Sequence, residues 1–314
     1  MASDNSRWSE RELIRNISEI FAEANSEVIV GIGDDAAVVA PPSGNVVVTT
    51  DMFVEGVHFR RDWSSAKQIG RKVTIANLAD IYAMGGIPKF ITVAMSATGD
   101  EKLEWMLDIA RGIAEEAHKV GAQVIGGDLS GSAEITISIT VIGECQEPFL
   151  RSGAQVGDQI YISDLTGWSA AGLKALQAGQ KDSNFEAAIN RHQVPKFDGK
   201  ATEIFSIGAN SLCDISDSLL IQGEQMAEAS GVCFEIDGRL FEGHPDFAKL
   251  SHLANQLGLN EFDLILSGGE DHVFLATYSG SKPANALRIG QVLSGSGIKL
   301  LHVDTPQPGW RHFQ

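Results

Sequence analysis

The chain of 314 residues carries 41 Asp and Glu against 24 Lys and Arg, a formal charge of −17, with 43% hydrophobic and 7% aromatic residues. That composition describes an acidic globular protein, long enough for two domains with separate cores, and it argues against a nucleic-acid partner held through a basic face. Cys145, Cys213 and Cys233 form no CxxC pair, and the charged start MASDNSRWSERELIRN lacks an apolar leader, so a reducing cytoplasm is expected rather than secretion or a membrane.

In chain order, the β-branched run Val46 to Thr50 predicts a strand, and Ile69 to Met84 and Leu103 to Val120 carry apolar residues at the three- and four-residue spacing of amphipathic helices. Gln123-Val124-Ile125 is an apolar segment expected to lead into a glycine-rich bend. Glu134 to Val141 alternates polar with apolar residues and predicts a second strand. The turn-rich stretch CQEPFLRSGAQVG then separates two halves, giving expected domains of 1–146 and 147–314. Beyond it, 159–163 reads as strand, 170–178 and 219–230 as helices, and 233–236 as strand. Segments 179–200 and 241–262 are polar and show no clear period.

Acidic residues gather beside Gly or hydroxyl residues. Gly31-Ile32-Gly33-Asp34-Asp35 sets two aspartates side by side; at 4 Å and an effective dielectric of 20 they repel by about 4 kcal/mol, which invites a cation. Read alone, it also fits a polar turn between strands. In Thr49-Thr50-Asp51, period two places Thr49 and Asp51 on one face of a strand and Thr50 on the other. Asn77 and Asp80 share a helix face in an otherwise apolar segment, so Asp80 needs a partner, whether backbone or ligand. Gly126-Gly127-Asp128 is compatible with a phosphate cradle, although GxxxxGK[ST] and the dinucleotide fingerprint are both absent. Asp214-Ile215-Ser216-Asp217 and Ser267-Gly268-Gly269-Glu270-Asp271 complete the set, with a helix N-cap and a turn as their plainer readings. Together these carboxylates exceed the one or two that a single magnesium ion uses, and no His or Cys clusters with them. Several magnesium ions serving a nucleoside triphosphate is the economical reading. Arg151 is an isolated cation that suits a phosphate or an ordinary surface equally well.

The string GIGDDAAVV (31–39), TTDMFVEGVHF (49–59), GRKVTIANLADIYAMGG (70–86), IGGD (125–128), RSGAQVGD (151–158), DISDSL (214–219), LSGGED (266–271) and GWRHF (309–313) resembles the thiamine-monophosphate kinase family of the aminoimidazole ribonucleotide synthetase superfamily. It spans nearly the whole chain in family order. The resemblance implies an α/β, two-domain PurM-like fold, with an N-terminal domain that forms a homodimer through its sheet. It implies ATP and Mg2+ as cofactors and thiamine monophosphate as acceptor. Its magnesium ligands would be Asp35, Thr49, Thr50, Asp51, Asp80, Asp128, Asp214 and Asp217, with Asp128 and Asp217 essential to catalysis. Gly127, Asp128, Arg151 and Ser216 would hold the nucleotide, and His58, Glu270 and Trp310 the thiamine phosphate.

This chain departs from the family pattern at Leu129, Gln222, His272 and Val273, where a hydroxyl, an acid, an aromatic residue and an acid are usual. These changes bear on acceptor choice more than on fold or metal. Other enzymes of the superfamily fit less well: no Cys precedes Cys145, against selenophosphate synthetase, and 126–133 lacks a GGETAEMP-like element, against aminoimidazole ribonucleotide synthetase. A paralogue with another acceptor and a non-catalytic nucleotide-binding homologue are the alternatives.

Overall fold

The structure, a computed structural model, describes residues 8–180, 182–280, 283, 285–304 and 306. It divides into two compact units, Met1–Ile81 with Gly86–Gln146, and Tyr82–Gly85 with Glu147–Gln314.

The first unit begins with helix α1 (Glu10–Phe21), whose N-cap Ser9 accepts from the Glu12 N–H. A small antiparallel pair follows, β1 (Val28–Val30) and β2 (Val38–Val39), then β3 (Asn45–Val54), α2 (Ala66–Ala83), β4 (Ile87–Ala97), α3 (Leu103–Lys119), β5 (Gln123–Gly131) and β6 (Thr136–Cys145). The main sheet has the order β3-β6-β4-β5, antiparallel except for the parallel β4–β5 pair. Alternation in β6 places Ile137, Ile139 and Val141 fully inside, as the period-two pattern requires. Helices α2 and α3 touch backbone to backbone: a Cβ on Gly70 would lie 2.2 Å from the Ile109 oxygen, and one on Gly112 2.2 Å from the Lys67 oxygen. The outward face of β3 is uncovered, with Val46, Val48 and Met52 each more than half exposed.

The expected glycine-rich bend after Ile125 is instead strand. Gly126, Gly127 and Asp128 pair in parallel with Thr92, Val93 and Ala94, past a bulge between Ile91 and Thr92. The glycines serve close approach, because a Cβ on Gly127 would meet the Val93 oxygen at 2.0 Å.

The second unit contains β7 (Gln159–Ile162), α4 (Trp168–Gln177), α5 (Glu186–Gln193), α6 (Gly199–Ser206), β8 (Ser211–Ile215), α7 (Leu219–Ser230), β9 (Cys233–Asp237), α8 (Phe247–Gln256), α9 (Glu261–Ser267), β10 (Val273–Tyr278), β11 (Leu287–Leu293) and β12 (Gly297–Leu301). Its sheet runs β12-β9-β11-β7-β10-β8, with β12–β9 the parallel pair. Every residue of β8 and β10 is buried; β10 reads as a mostly apolar run, whereas β8 also carries Ser211 and Asp214 inside. The polar segments 179–200 and 241–262 resolve into short helices. Asp182, Asp198 and Asn260 accept backbone N–H bonds at their starts, and helices this short depend on caps and packing more than on periodicity. Among the described residues no helix is long and apolar enough to cross a membrane.

Candidate active site

In the first unit, the inner face of β3 and one face of α2 carry the expected acids. The Thr49 hydroxyl donates to Asp80 Oδ2 at 2.6 Å. One turn earlier, Asn77 is fully buried; its Oδ1 accepts the Asp51 N–H at 3.0 Å, and its amide donates to the Val73 carbonyl at 2.9 Å. Asn77 therefore fixes the backbone of β3 where Thr49 and Asp51 face α2. Immediately after β3, residues 54–59 form a turn closed by bonds from Val57 and His58 N–H to the Val54 carbonyl. The Val54 N–H donates to His58 Nδ1 at 3.1 Å. An imidazole nitrogen that accepts bears no proton, so the neutral ring presents its N–H at Nε2. The ring centroid lies 5.3 Å from that of Phe53.

Three expected ligands stand apart from this group. Thr50 points to the uncovered face, where its hydroxyl lies 2.6 Å from that of Thr140. Asp35 occupies the exposed bend between β1 and β2, and its N–H donates to Asp34 Oδ1. Asp128 is exposed on β5, with Ser130 Oγ 3.2 Å from its Oδ2. The order β3-β6-β4-β5 puts Asp51 and Asp128 on opposite edge strands, about 14 Å apart from three interstrand spacings.

In the second unit, the motifs 214–219 and 266–271 are one structure. The Glu270 N–H donates to the Ser216 carbonyl at 2.6 Å and the His272 N–H to that of Ile215 at 3.0 Å. A Cβ on Gly269 would sit 2.5 Å from the Asp217 oxygen and 2.6 Å from that of Ser216, so only glycine fits the crossing. Glu270 and His272 adopt φ of 62° and 51°, left-handed conformations that cost a non-glycine residue about 1–2 kcal/mol each. Arg151 is exposed beside this edge, next to the Leu150 carbonyl that accepts from Leu212. Trp310 and the rest of 309–313 lie outside the described residues.

Two buried side chains hold this loop. Asp271 is buried and caps α4, accepting the Gly167 N–H at 2.6 Å and the Ser169 N–H at 2.9 Å. Burial pushes its carboxyl up to about 6 against the pull of those two N–H groups. Gln222, also buried, accepts the Ser218 N–H at 2.9 Å and directs its amide towards Ser216 Oγ and Asp217 Oδ2, at 3.4 and 3.5 Å. A glutamine here keeps a neutral donor beside Asp217, where the family's usual acid would add a negative charge.

Among the described residues no three His, Cys, Asp or Glu side chains group closely enough to hold a metal by themselves. Magnesium usually completes its shell with water and substrate phosphate around one or two carboxylates. One buried atom fits such an ion: Asp214 Oδ2 has no hydrogen-bond partner, and His272 Nδ1 lies 3.5 Å from it. Within the first unit the oxygen-only donors Thr49, Asp51 and Asp80 suit a hard cation, and so, within the second, do Asp214 and Asp217.

The fold and these acids place the chain in a known class. The pattern of the AIR synthase related protein, N-terminal domain, matches residues 33–145. The thiamine-monophosphate kinase of Mycobacterium tuberculosis (strain ATCC 25618 / H37Rv) is 36% identical over 291 residues, 91% of this chain and 86% of that protein. That of Corynebacterium glutamicum is 37% identical over 317 residues, 97% and 93% of the two chains. A solved structure of AaThiL complexed with AMPPCP and TMP matches with a TM-score of 0.80 and 29% identity, covering 99% of this chain and 100% of that one. The chain belongs to the thiamine-monophosphate kinase family.

Proposed function

We propose that this chain transfers the γ-phosphoryl group of ATP in line to the phosphate of thiamine monophosphate, giving thiamine diphosphate and ADP. The observation that carries the reading is the match along almost the whole chain to a structure complexed with AMPPCP and TMP. A phosphate monoester with a second pKa near 6 is largely dianionic at neutral pH, so the nucleophile requires no general base. The work left to the protein is positioning and charge neutralisation, which suits the observed carboxylates and hydroxyls.

Magnesium held by Asp35, Thr49, Thr50, Asp51, Asp80, Asp128, Asp214 and Asp217 would neutralise the triphosphate oxygens. The Thr50 hydroxyl stands on the other face of β3, beside Thr140. Gly127, Asp128, Arg151 and Ser216 contact the nucleotide in this reading. His58, through the N–H at Nε2, and Glu270 bind the acceptor, with Trp310 against its ring. Asp271 and Gln222 hold the backbone of the second group in place.

The chain works as a homodimer in the cytoplasm. Support for the dimer is the uncovered apolar row Val46, Val48 and Met52 on β3, and support for the compartment is three free cysteines. The test of the function is ADP release with thiamine monophosphate as acceptor. Asp128→Ala, at an exposed side chain bonded only to Ser130, should abolish turnover while leaving the thermal midpoint unchanged. Wild-type turnover in that variant overturns the assignment.

A further inference from the structure

A buried histidine stands behind Glu270 and is absent from every motif that marks the family resemblance. His192 lies near the end of α5, 6% exposed. Its Nδ1 is 3.5 Å from Glu270 Oε2 and 3.1 Å from Ser169 Oγ. Helix α5 reaches this place because Gly172 of α4 admits it: a Cβ there would meet the Ala188 oxygen at 2.1 Å and His192 Cβ at 2.9 Å. Ser169, in turn, donates its N–H to Asp271. The Glu270 side chain is thus met from α5 and the Asp271 carboxylate from the start of α4, with Ser169 touching both His192 and Asp271.

Serine, histidine and glutamate in contact invite comparison with a nucleophilic triad, but the geometry rules one out. In a triad the acid and the hydroxyl use opposite ring nitrogens, whereas here both face Nδ1. With the proton on Nδ1 the carboxylate, which only accepts, takes its hydrogen bond, and Ser169 Oγ shares it as a second acceptor. The arrangement fixes a carboxylate; it does not activate a hydroxyl.

We propose that His192, supported by Ser169, is a positioning residue that sets the direction of the Glu270 carboxylate and thereby the affinity for the acceptor. The inference rests on the reading of Glu270 as an acceptor contact. Glu270 already has a constrained backbone, with φ of 62° and its N–H on Ser216. The backbone does not set the side-chain torsions, and Nδ1 at 3.5 Å offers a donor on the carboxylate; a binding group loses effectiveness when its direction is not fixed beforehand.

The experiment measures kcat and KM for both substrates in His192→Ala, His192→Asn, His192→Gln, Ser169→Ala and Glu270→Gln. Asparagine places its amide nitrogen near the position of Nδ1, and glutamine near that of Nε2. The expected result is a KM for thiamine monophosphate raised about tenfold in His192→Ala, the scale of one hydrogen bond to a charged group. KM for ATP should stay within about twofold of wild type. His192→Asn should restore acceptor affinity and His192→Gln should not. Ser169→Ala tests the same pair without emptying the histidine's space, should His192→Ala fail to fold. In the Glu270→Gln background, His192→Ala should add little further loss. If Glu270→Gln leaves the acceptor KM unchanged, the proposal falls together with the Glu270 reading. If Glu270→Gln raises that KM while the folded His192 and Ser169 variants leave it alone, the positioning role falls by itself. Equal rises in both KM values, or equal rescue by Asn and Gln, would also overturn it.

Discussion

Asp271→Asn tests whether a buried carboxylate costs this protein stability while it caps a helix. Helix α4 opens at Gly167, which has no side chain to cap it, and Asp271 accepts the N–H groups of Gly167 and Ser169 instead. Asparagine retains one acceptor oxygen and turns an NH2 towards the other donor, so one buried N–H loses its partner at a cost of about 1–3 kcal/mol. Against this, burial raises the carboxyl from 3.8 to about 6, and two units correspond to about 3 kcal/mol at neutral pH. A folded-state value above the unfolded one means that the folded protein holds its proton more tightly. The contribution of Asp271 is therefore fully present below about pH 4, lost as pH rises through about 6, and constant beyond. At pH 8 the two effects nearly cancel, and Asp271→Asn should unfold within about 1–2 kcal/mol of wild type. By pH 5 wild type recovers about half of the ionisation cost and the variant none, so the gap should shift by about 1 kcal/mol in favour of wild type. Urea denaturation of both proteins at pH 5 and pH 8 measures it. A difference that does not change with pH refutes the reasoning.

Three further outcomes follow from the same geometry. Asn77→Ala removes the acceptor for the Asp51 N–H and a bond to Val73 inside the core, and should lower stability by about 2–3 kcal/mol on chemical denaturation while weakening the magnesium dependence of turnover. Gly269→Ala sets a methyl 2.5 Å from the Asp217 oxygen; turnover should fall at least about tenfold and stability by about 1–3 kcal/mol, and unaltered kinetics would show that the crossing with 216–217 is loose. Thr49→Val loses the bond to Asp80 and should raise the magnesium concentration for half-maximal rate, with Thr49→Ser restoring it. Identical magnesium titrations for the valine and serine variants would count against a shared role for Thr49 and Asp80.

Local pattern determined much of this protein. Period two in 134–141 reports the inward row Ile135, Ile137, Ile139 and Val141, because one face of that sheet is packed and the other is not. The spacing in 69–84 and 103–120 likewise corresponds to α2 and α3, since each must turn an apolar side to the core. The pairing of Thr49 with Asp51 on one face and the sharing of a helix face by Asn77 and Asp80 were also legible, because strand and helix repeats fix direction within a single element. Repeats carry no information between elements. Only the tertiary structure decided that Asn77 anchors Asp51, that 126–128 continues a strand instead of bending, and that the 214–219 and 266–271 motifs cross at Gly269. The same holds for Asp271 and His192, which read as an ordinary acid in a turn and a polar residue in an aperiodic segment. Their roles arise from contacts 102 and 23 residues away in sequence, to Ser169 in both cases, and such contacts exist only once distant helices have packed.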